Sequence, residues 1–182
     1  YFIDKFYYDQ PEKFVDGLYR IGLAEDLKLS IPGYACPRIR RPMKNRENWS
    51  KTALAWMSIG YETQVPPIST LAFYNGIANG GKMLRPRFVK SLMKNGEVVQ
   101  EYPVTVVRER MCSPKTLNDI KMCLELVVKK GTGKKVRSKN FRIAGKSGTA
   151  QIWTKAGRTS EYLVTFVGYF PADNPKYSCI VC

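Results

Sequence analysis

Four consecutive residues, Lys146-Ser147-Gly148-Thr149, bring together groups that can recognise an anion. Lys146 supplies a fixed positive charge, and Ser147 and Thr149 supply hydroxyl donors, so the three side chains can bind a carboxylate. Gly148 has no side chain to obstruct an extended peptide that pairs with this strand through its backbone. The predicted chemistry is recognition of an extended ligand that carries a carboxylate. The same four residues would also fit a polar strand with a glycine bulge.

The surroundings of this tetrapeptide favour the first interpretation. The tetrapeptide resembles the Lys-Thr/Ser-Gly motif of penicillin-binding proteins and serine β-lactamases, enzymes that form an acyl-serine intermediate. Four further segments, in their order along the chain, resemble the C-terminal part of the transpeptidase domain of class B penicillin-binding proteins. They are residues 57–67, 77–86, 124–134 and 166–172. The resemblance covers most of residues 10–182, and agreement of several separate segments in one order is specific.

The resemblance implies an α+β fold in which helices pack on an antiparallel sheet, a partial penicillin-binding or serine β-lactamase-like transpeptidase fold. Residues 1–182 would then be the C-terminal portion of a transpeptidase domain, truncated at both ends. The complete sheet of that family has five antiparallel strands, so two strands and the final helix are expected outside this chain. Such a sheet would have uncovered faces and edges, which favours self-association of the fragment.

The nucleophile motif of the family, Ser-x-x-Lys, has one literal match, which is judged to be a coincidence. The match is Ser91-Leu92-Met93-Lys94, and it runs directly into Asn95-Gly96, a strong hairpin signal. On a strand, residues three apart point to opposite faces, so Lys94 could not activate Ser91. The nucleophile needs a helix start instead, where a lysine one turn on faces the serine.

The second motif of the family, Ser-x-Asn, also has a literal match that is judged to be a coincidence. Ser138-Lys139-Asn140 lies only six residues before the third motif, within a basic loop. In the family the second motif comes far earlier in sequence and lies on the opposite wall of the cleft. Both true motifs are therefore expected before Tyr1.

The composition removes rival mechanisms. The chain has no histidine, which excludes Ser-His-Asp and Cys-His nucleophile systems and His-based metal sites. A serine nucleophile then needs another base, for which lysine is the usual substitute. Neither a metal site nor a cofactor is predicted. The five cysteines show no paired zinc spacing, and Cys179-Ile180-Val181-Cys182 lies in a strand pattern, so buried thiols acting as small hydrophobes are expected.

The net charge of +15 indicates a polyanionic environment, such as nucleic acid, anionic lipid or a cell-wall polymer. The densest basic sets fall at residues 37–46 and 129–142. No aromatic residues alternate with them as in a nucleic-acid groove, so no nucleic acid is predicted and solvated loops are the simpler interpretation. No stretch is long enough to span a membrane.

The coarse pattern predicts helices at about 11–21, 49–58 and 67–79, and a fourth from Ser113-Pro114 to about 130. Its apolar stripe is predicted to comprise Leu117, Ile120, Leu124 and Val127. A loop is predicted over 30–48 and a hairpin over 86–102. Three strands, at about 141–152, 162–171 and 176–182, are expected to form an antiparallel meander, with the link 153–161 at the rim of the cleft.

By resemblance, the full-length protein would be a D,D-transpeptidase that cross-links peptidoglycan stem peptides and is acylated by β-lactam antibiotics. Lys146, Ser147 and Thr149 would hold the carboxylate of the ligand, with Gly148 leaving space beside them. The backbone N–H of Thr149 would be one oxyanion-hole donor and that of the absent serine the other. This chain alone would be inactive.

The resemblance also implies a location and partners. The protein would work at the periplasmic face of the cytoplasmic membrane, anchored by an N-terminal segment absent from this chain, alongside other cell-wall synthesis proteins. The alternative is a non-catalytic module of the same fold that senses β-lactams or binds an anionic polymer.

Overall fold

The structure is a computed structural model that describes residues 1–43, 47–154 and 157–182. Helices and short antiparallel sheets alternate along the chain, which is the α+β architecture expected from the sequence. The chain divides into two compact units, Tyr1–Ser69 and Thr70–Cys182.

Most of the regular secondary structure in the first unit is helical. It contains α1 (Phe2–Tyr7), α2 (Pro11–Arg20) and α3 (Ala53–Ser58), and its short strands β1 (Arg38–Ile39) and β2 (Thr63–Gln64) pair antiparallel. The prediction of a loop over 30–48 was therefore wrong at β1, because two residues of a strand are too few to show a periodicity. Val15, Ile39 and Met57 form a buried hydrophobic cluster in this unit.

Part of the first basic set has a structural role. The Arg41 guanidinium lies 2.7 Å from an Asp16 carboxylate oxygen and 4.1 Å from the centroid of the Tyr19 ring. Arg40 pairs with Glu62 at 2.6 Å. These contacts pair Arg40 and Arg41 within the first unit; residues 44–46 of this set lie outside the described residues.

Within its described residues, the second unit contains two α-helices. They are α4 (Pro67–Ala78), which begins at the end of the first unit, and α5 (Pro114–Lys129). The predicted start of α5 is confirmed: the Ser113 hydroxyl accepts a hydrogen bond from the Thr116 N–H at 3.2 Å, and Pro114 fills the first helical position, which needs no N–H.

The buried stripe of α5 differs from the predicted one. Leu117 and Leu124 are buried as expected, but Val128 is buried instead of Val127, and Ile120 is 39% exposed. The stripe turns toward Lys121, whose amine donates to the Ala78 carbonyl at 3.4 Å. A lysine can occupy a packed face in this way because its stem is apolar while its amine finds an acceptor.

The main sheet is the predicted antiparallel meander, with the order β7-β8-β9. Its strands are β7 (Ala144–Thr154), β8 (Gly157–Phe170) and β9 (Tyr177–Val181). The predicted long link 153–161 was wrong, because Trp153 pairs with Arg158 and Thr154 with Gly157, so β7 and β8 continue as a long hairpin. Residues 155 and 156 of that link lie outside the described residues. The polar Thr-Ser-Glu run at 159–161 carried no apolar alternation from which a strand could be predicted.

A pair of glycines lets β7 and β8 approach closely at the start of the hairpin. Gly145 pairs with Gly168, and the Phe166 ring lies over the pair. A Cβ on Gly145 would meet Phe166 Cζ and the Val167 carbonyl oxygen, each at 2.6 Å. An aromatic ring that covers strand glycines in this way fixes the register of the two strands.

The predicted hairpin over 86–102 is confirmed. Strands β4 (Ser91–Lys94) and β5 (Glu97–Glu101) pair antiparallel, and Asn95 and Gly96 both have positive φ, 52° and 85°, as a tight two-residue turn requires. The same unit contains a small pair that the sequence did not indicate, β3 (Met83–Leu84) with β6 (Val106–Arg108).

The expectation of buried thiols was wrong. Cys36, Cys123, Cys179 and Cys182 are exposed and Cys112 is partly exposed, and all five are free. Cys179 lies on the outer strand of the sheet, and Cys123 precedes the buried Leu124 and so points away from the helix-sheet contact. Among the described residues, no helix has the length and apolar character of a membrane span.

Candidate functional site

The four residues with anion-binding groups lie in the middle of β7. Lys146 pairs with Val167 of β8, Ser147 with Phe166, Gly148 with Thr165 and Thr149 with Val164. Because successive side chains alternate, Ser147 and Thr149 share one face of the strand and Lys146 shares the other with Gly148. Lys146, Gly148 and Thr149 are exposed and Ser147 is half-buried.

One edge of β7 is open within the described part of the chain. The strand pairs with β8 alone there, and it is the first strand in the sheet order. An open strand edge presents backbone N–H and C=O groups at which an extended peptide can add as a further strand.

The amine of Lys146 reaches this strand's own backbone. Lys146 Nζ donates to the carbonyl oxygen of Ser147 at 2.6 Å. In an antiparallel pair, the N–H and C=O of one residue point to the same side, and residues two apart share that side. Because the exposed Lys146 amine reaches the Ser147 carbonyl, we infer that this carbonyl points to the open edge of β7. The backbone N–H and C=O of Thr149, two residues on, then point to the same edge.

The hydroxyl of Ser147 has a partner that the sequence reasoning did not include in the site. Its Oγ lies 2.7 Å from the Oγ1 of Thr132, which belongs to the Gly131-Thr132-Gly133 turn after α5. The only sequence signal for this contact is the place of the Gly-Thr-Gly run between a predicted helix and the strand that carries the motif.

A residue just before β7, Arg142, is tied to α5 and to the turn after β8. Arg142 lies 3.2 Å from a Glu125 carboxylate oxygen and 3.6 Å from one of Asp173, and its carbonyl accepts from the Ala172 N–H at 2.9 Å. Together with the packing of α5 on β7, these contacts hold the strand that carries the motif.

A buried tyrosine lies next to this junction. Tyr169 pairs with Ala144 and is fully buried, and its hydroxyl has no hydrogen-bond partner within the described residues. Burial, followed by the negative charge of Glu125, raises the pKa of Tyr169 to about 12. The phenol therefore stays neutral and acts as part of the core.

The residues of the two literal motif matches lie on β4 and in the loop before β7. Ser91 and Lys94 lie on β4, three residues apart on one strand and so on opposite faces. The Ser138 hydroxyl accepts from the N–H of Asn140 at 3.1 Å and so closes its own local turn. The described residues contain no cluster of acidic, histidine or cysteine side chains that could hold a metal.

Comparison with known proteins supports the same family from sequence and from structure. Residues 10–182 match the family model described as the penicillin binding protein transpeptidase domain. The chain is 29% identical over 178 residues to penicillin-binding protein PbpB of Mycolicibacterium smegmatis, covering 92% of this chain and 26% of that protein. It is 31% identical over 170 residues to the probable peptidoglycan D,D-transpeptidase PbpC of Pseudomonas aeruginosa, covering 91% of this chain and 27% of that protein.

Among solved structures, the chain is similar to penicillin binding protein 3 of Mycobacterium tuberculosis. The TM-score is 0.77 at 27% identity, and the match covers 93% of this chain and 39% of the other. That protein has also been solved in complex with aztreonam and with ampicillin. The chain thus spans about a quarter of the length of the curated relatives named above. It has the fold of penicillin-binding transpeptidase domains and belongs to the penicillin-binding protein transpeptidase family.

Proposed function

We propose that this chain is part of a serine D,D-transpeptidase that cross-links peptidoglycan stem peptides through an acyl-enzyme and is a target of β-lactams. In this proposal, residues 1–182 are the C-terminal portion of the catalytic domain. The nucleophilic Ser-x-x-Lys and the Ser-x-Asn motif belong to another part of the protein. The protein lies at the periplasmic face of the cytoplasmic membrane and is anchored by an N-terminal segment outside residues 1–182. Other cell-wall synthesis proteins are its expected neighbours.

The observation that carries the proposal is the place of Lys146-Ser147-Gly148-Thr149 on the open edge of β7. An acyl donor laid along this edge can pair with the backbone as an added strand. Its carboxylate can then accept from the exposed hydroxyl of Thr149 and from Ser147, while the Lys146 amine adds a positive charge within the same strand.

Thr149 has a second proposed role through its backbone. If its N–H points to the open edge, as the Lys146–Ser147 contact favours, it can donate to the oxygen that becomes negative when the serine attacks the acyl carbon. Such a donor is effective because it is fixed before the reaction begins, so no reorganisation is needed as charge develops. The relatives support this reaction class, since one is named a probable peptidoglycan D,D-transpeptidase and another binds β-lactams in its solved structures.

Substitutions of Thr149 in the intact protein test the proposal. Thr149→Pro deletes the backbone donor, so the second-order rate of acylation by a chromogenic β-lactam should fall by about 10²–10³. Thr149→Ser keeps both donors and should react like the wild type. Thr149→Val removes the hydroxyl alone and should mainly weaken the binding of carboxylate-bearing ligands. Equal rates for the wild type and all three variants would contradict the assignment of Thr149.

A second candidate function, binding of an anionic polymer, is favoured by one feature of the charge distribution. Between Glu125 and Glu161 the chain contains no acidic residue, and many of its basic residues are exposed around the end of α5. They include Lys129, Lys130, Lys134, Lys135, Arg137 and Lys139. Binding of a polyanion that weakens steeply with salt, in a protein that no β-lactam acylates, would favour this candidate over the transpeptidase.

A further inference from the structure

We propose that Thr132 is a positioning residue, which orients the Ser147 hydroxyl toward the carboxylate of the ligand. This inference rests on the proposed function of the β7 motif and adds a part from outside that strand. The observation behind it is the 2.7 Å contact between Thr132 Oγ1 and Ser147 Oγ.

Thr132 is held by the end of α5. The N–H groups of Gly131 and Gly133, on either side of it, both donate to the Val127 carbonyl at 3.0 Å. The Gly131 N–H also donates to the Leu126 carbonyl at 3.0 Å. Backbone donors that return to the last carbonyls of a helix form a regular helix end, so the turn keeps a fixed place relative to α5.

The two glycines are needed for this close approach. A Cβ on Gly131 would lie 2.9 Å from the Val127 carbonyl oxygen, and one on Gly133 would lie 3.2 Å from the same atom. Both distances are shorter than ordinary contact, so a side chain at either position would move the turn away from the helix. Because α5 also packs against β7, the helix fixes the distance from Thr132 to Ser147.

The direction of the hydrogen bond follows from the ligand. A hydroxyl has one proton to donate, and an ionised carboxylate only accepts. When Ser147 donates to the carboxylate, its lone pairs remain to accept, so Thr132 must donate to Ser147. The Thr132 hydroxyl then donates to Ser147, the Ser147 hydroxyl donates to the carboxylate, and each hydrogen bond polarises the next. Without the Thr132 hydroxyl, Ser147 Oγ would no longer accept this hydrogen bond, and the Ser147 hydroxyl would rotate more freely.

The test compares two forms of one β-lactam, the free carboxylate and its methyl ester, in acylation of the intact protein. With Thr132→Val, which has the same shape but no hydroxyl, the rate for the free carboxylate should fall about five- to tenfold. The rate for the ester should change by less than about twofold, because the ester presents no anion for Ser147 to bind. Thr132→Ser should restore the wild-type preference for the carboxylate.

Thr52→Val serves as the matched control, because Thr52 is also exposed and its hydroxyl lies 3.4 Å from that of Ser50. It should alter neither rate. An equal loss for both forms of the β-lactam in Thr132→Val would show a merely structural role and overturn the inference, as would no loss at all. If the wild-type protein is not acylated, the proposed function fails, and the inference fails with it.

Discussion

The glycine pair at the start of β7 gives the sharpest stability prediction, Gly145→Ala in the intact protein. The new Cβ would lie 2.6 Å from both Phe166 Cζ and the Val167 carbonyl oxygen, about 0.8 Å inside the 3.4 Å at which ordinary contact begins. The phenylalanine ring can rotate away, but the carbonyl belongs to the paired strand, so the strands themselves must separate.

Overpacking of this kind costs about 1–3 kcal/mol, which lowers the unfolding midpoint of a domain of this size by roughly 3–10 °C. Gly148→Ala is the matched control. Its Cβ would meet Thr165 Cβ at 3.9 Å and the Thr165 carbonyl at 4.0 Å, both ordinary contacts. The midpoint of this variant should therefore stay within about 2 °C of the wild type.

The same control separates stability from function. A methyl group on Gly148 would project from the exposed part of β7, where the acyl donor is proposed to lie. Gly148→Ala should therefore lower the acylation rate on the order of ten- to a hundredfold while leaving the fold unchanged. Differential scanning calorimetry and β-lactam acylation kinetics measure the two effects. Equal midpoints for Gly145→Ala and the wild type would refute the close packing of β7 on β8, and a normal rate for Gly148→Ala would refute the proposed path of the ligand.

Two further variants test the elements that support the strand. Ser113→Ala removes the N-cap of α5 and should lower the free energy of unfolding by about 1 kcal/mol, which thermal unfolding measures. Ser113→Asp should restore that stability. No loss in Ser113→Ala would mean that the 3.2 Å contact with the Thr116 N–H does not stabilise the helix. Tyr169→Phe removes a buried hydroxyl without a described partner and should leave the protein at least as stable at pH 7. The pKa of Tyr169 is raised from 10.0 to about 12 in the folded state, so the folded state holds the phenol proton more tightly than the unfolded state. The contribution of this proton to the free energy of unfolding is therefore complete below pH 10 and is lost as pH rises toward 12. The phenylalanine variant should lose less stability over that range, and identical alkaline profiles would contradict the burial of the phenol.

Much of the fold was accessible from sequence because its elements carry strong local signals. Ser113-Pro114 predicts the start of α5, and Asn95-Gly96 predicts the β4–β5 hairpin, because each pair meets a backbone requirement that few residues meet. The extent of the β7–β8 hairpin was not predictable in the same way. Its outer part is polar on the β8 side, so the pairing there depends on the neighbouring strand rather than on an apolar pattern in β8 itself.

The site shows the same division between local and distant information. The chemical character of Lys146 to Thr149 could be inferred from the residues alone, because charge and hydroxyl groups are properties of the side chains. The contact between Thr132 and Ser147 could not, because it joins residues fifteen positions apart and depends on how α5 packs on β7. Likewise, the position of Lys121 on the packed face of α5 follows from an acceptor on α4, which no periodicity in α5 reveals.

The most direct test of the central claim is to locate the residue that penicillin acylates. The intact protein and the isolated chain 1–182 would each be incubated with penicillin, and the adduct would be mapped by peptide mass spectrometry. We predict one adduct per intact protein, on a serine outside residues 1–182, and none on the isolated chain. An adduct on Ser91 or on any other residue of this chain, or no adduct on the intact protein, would contradict the account.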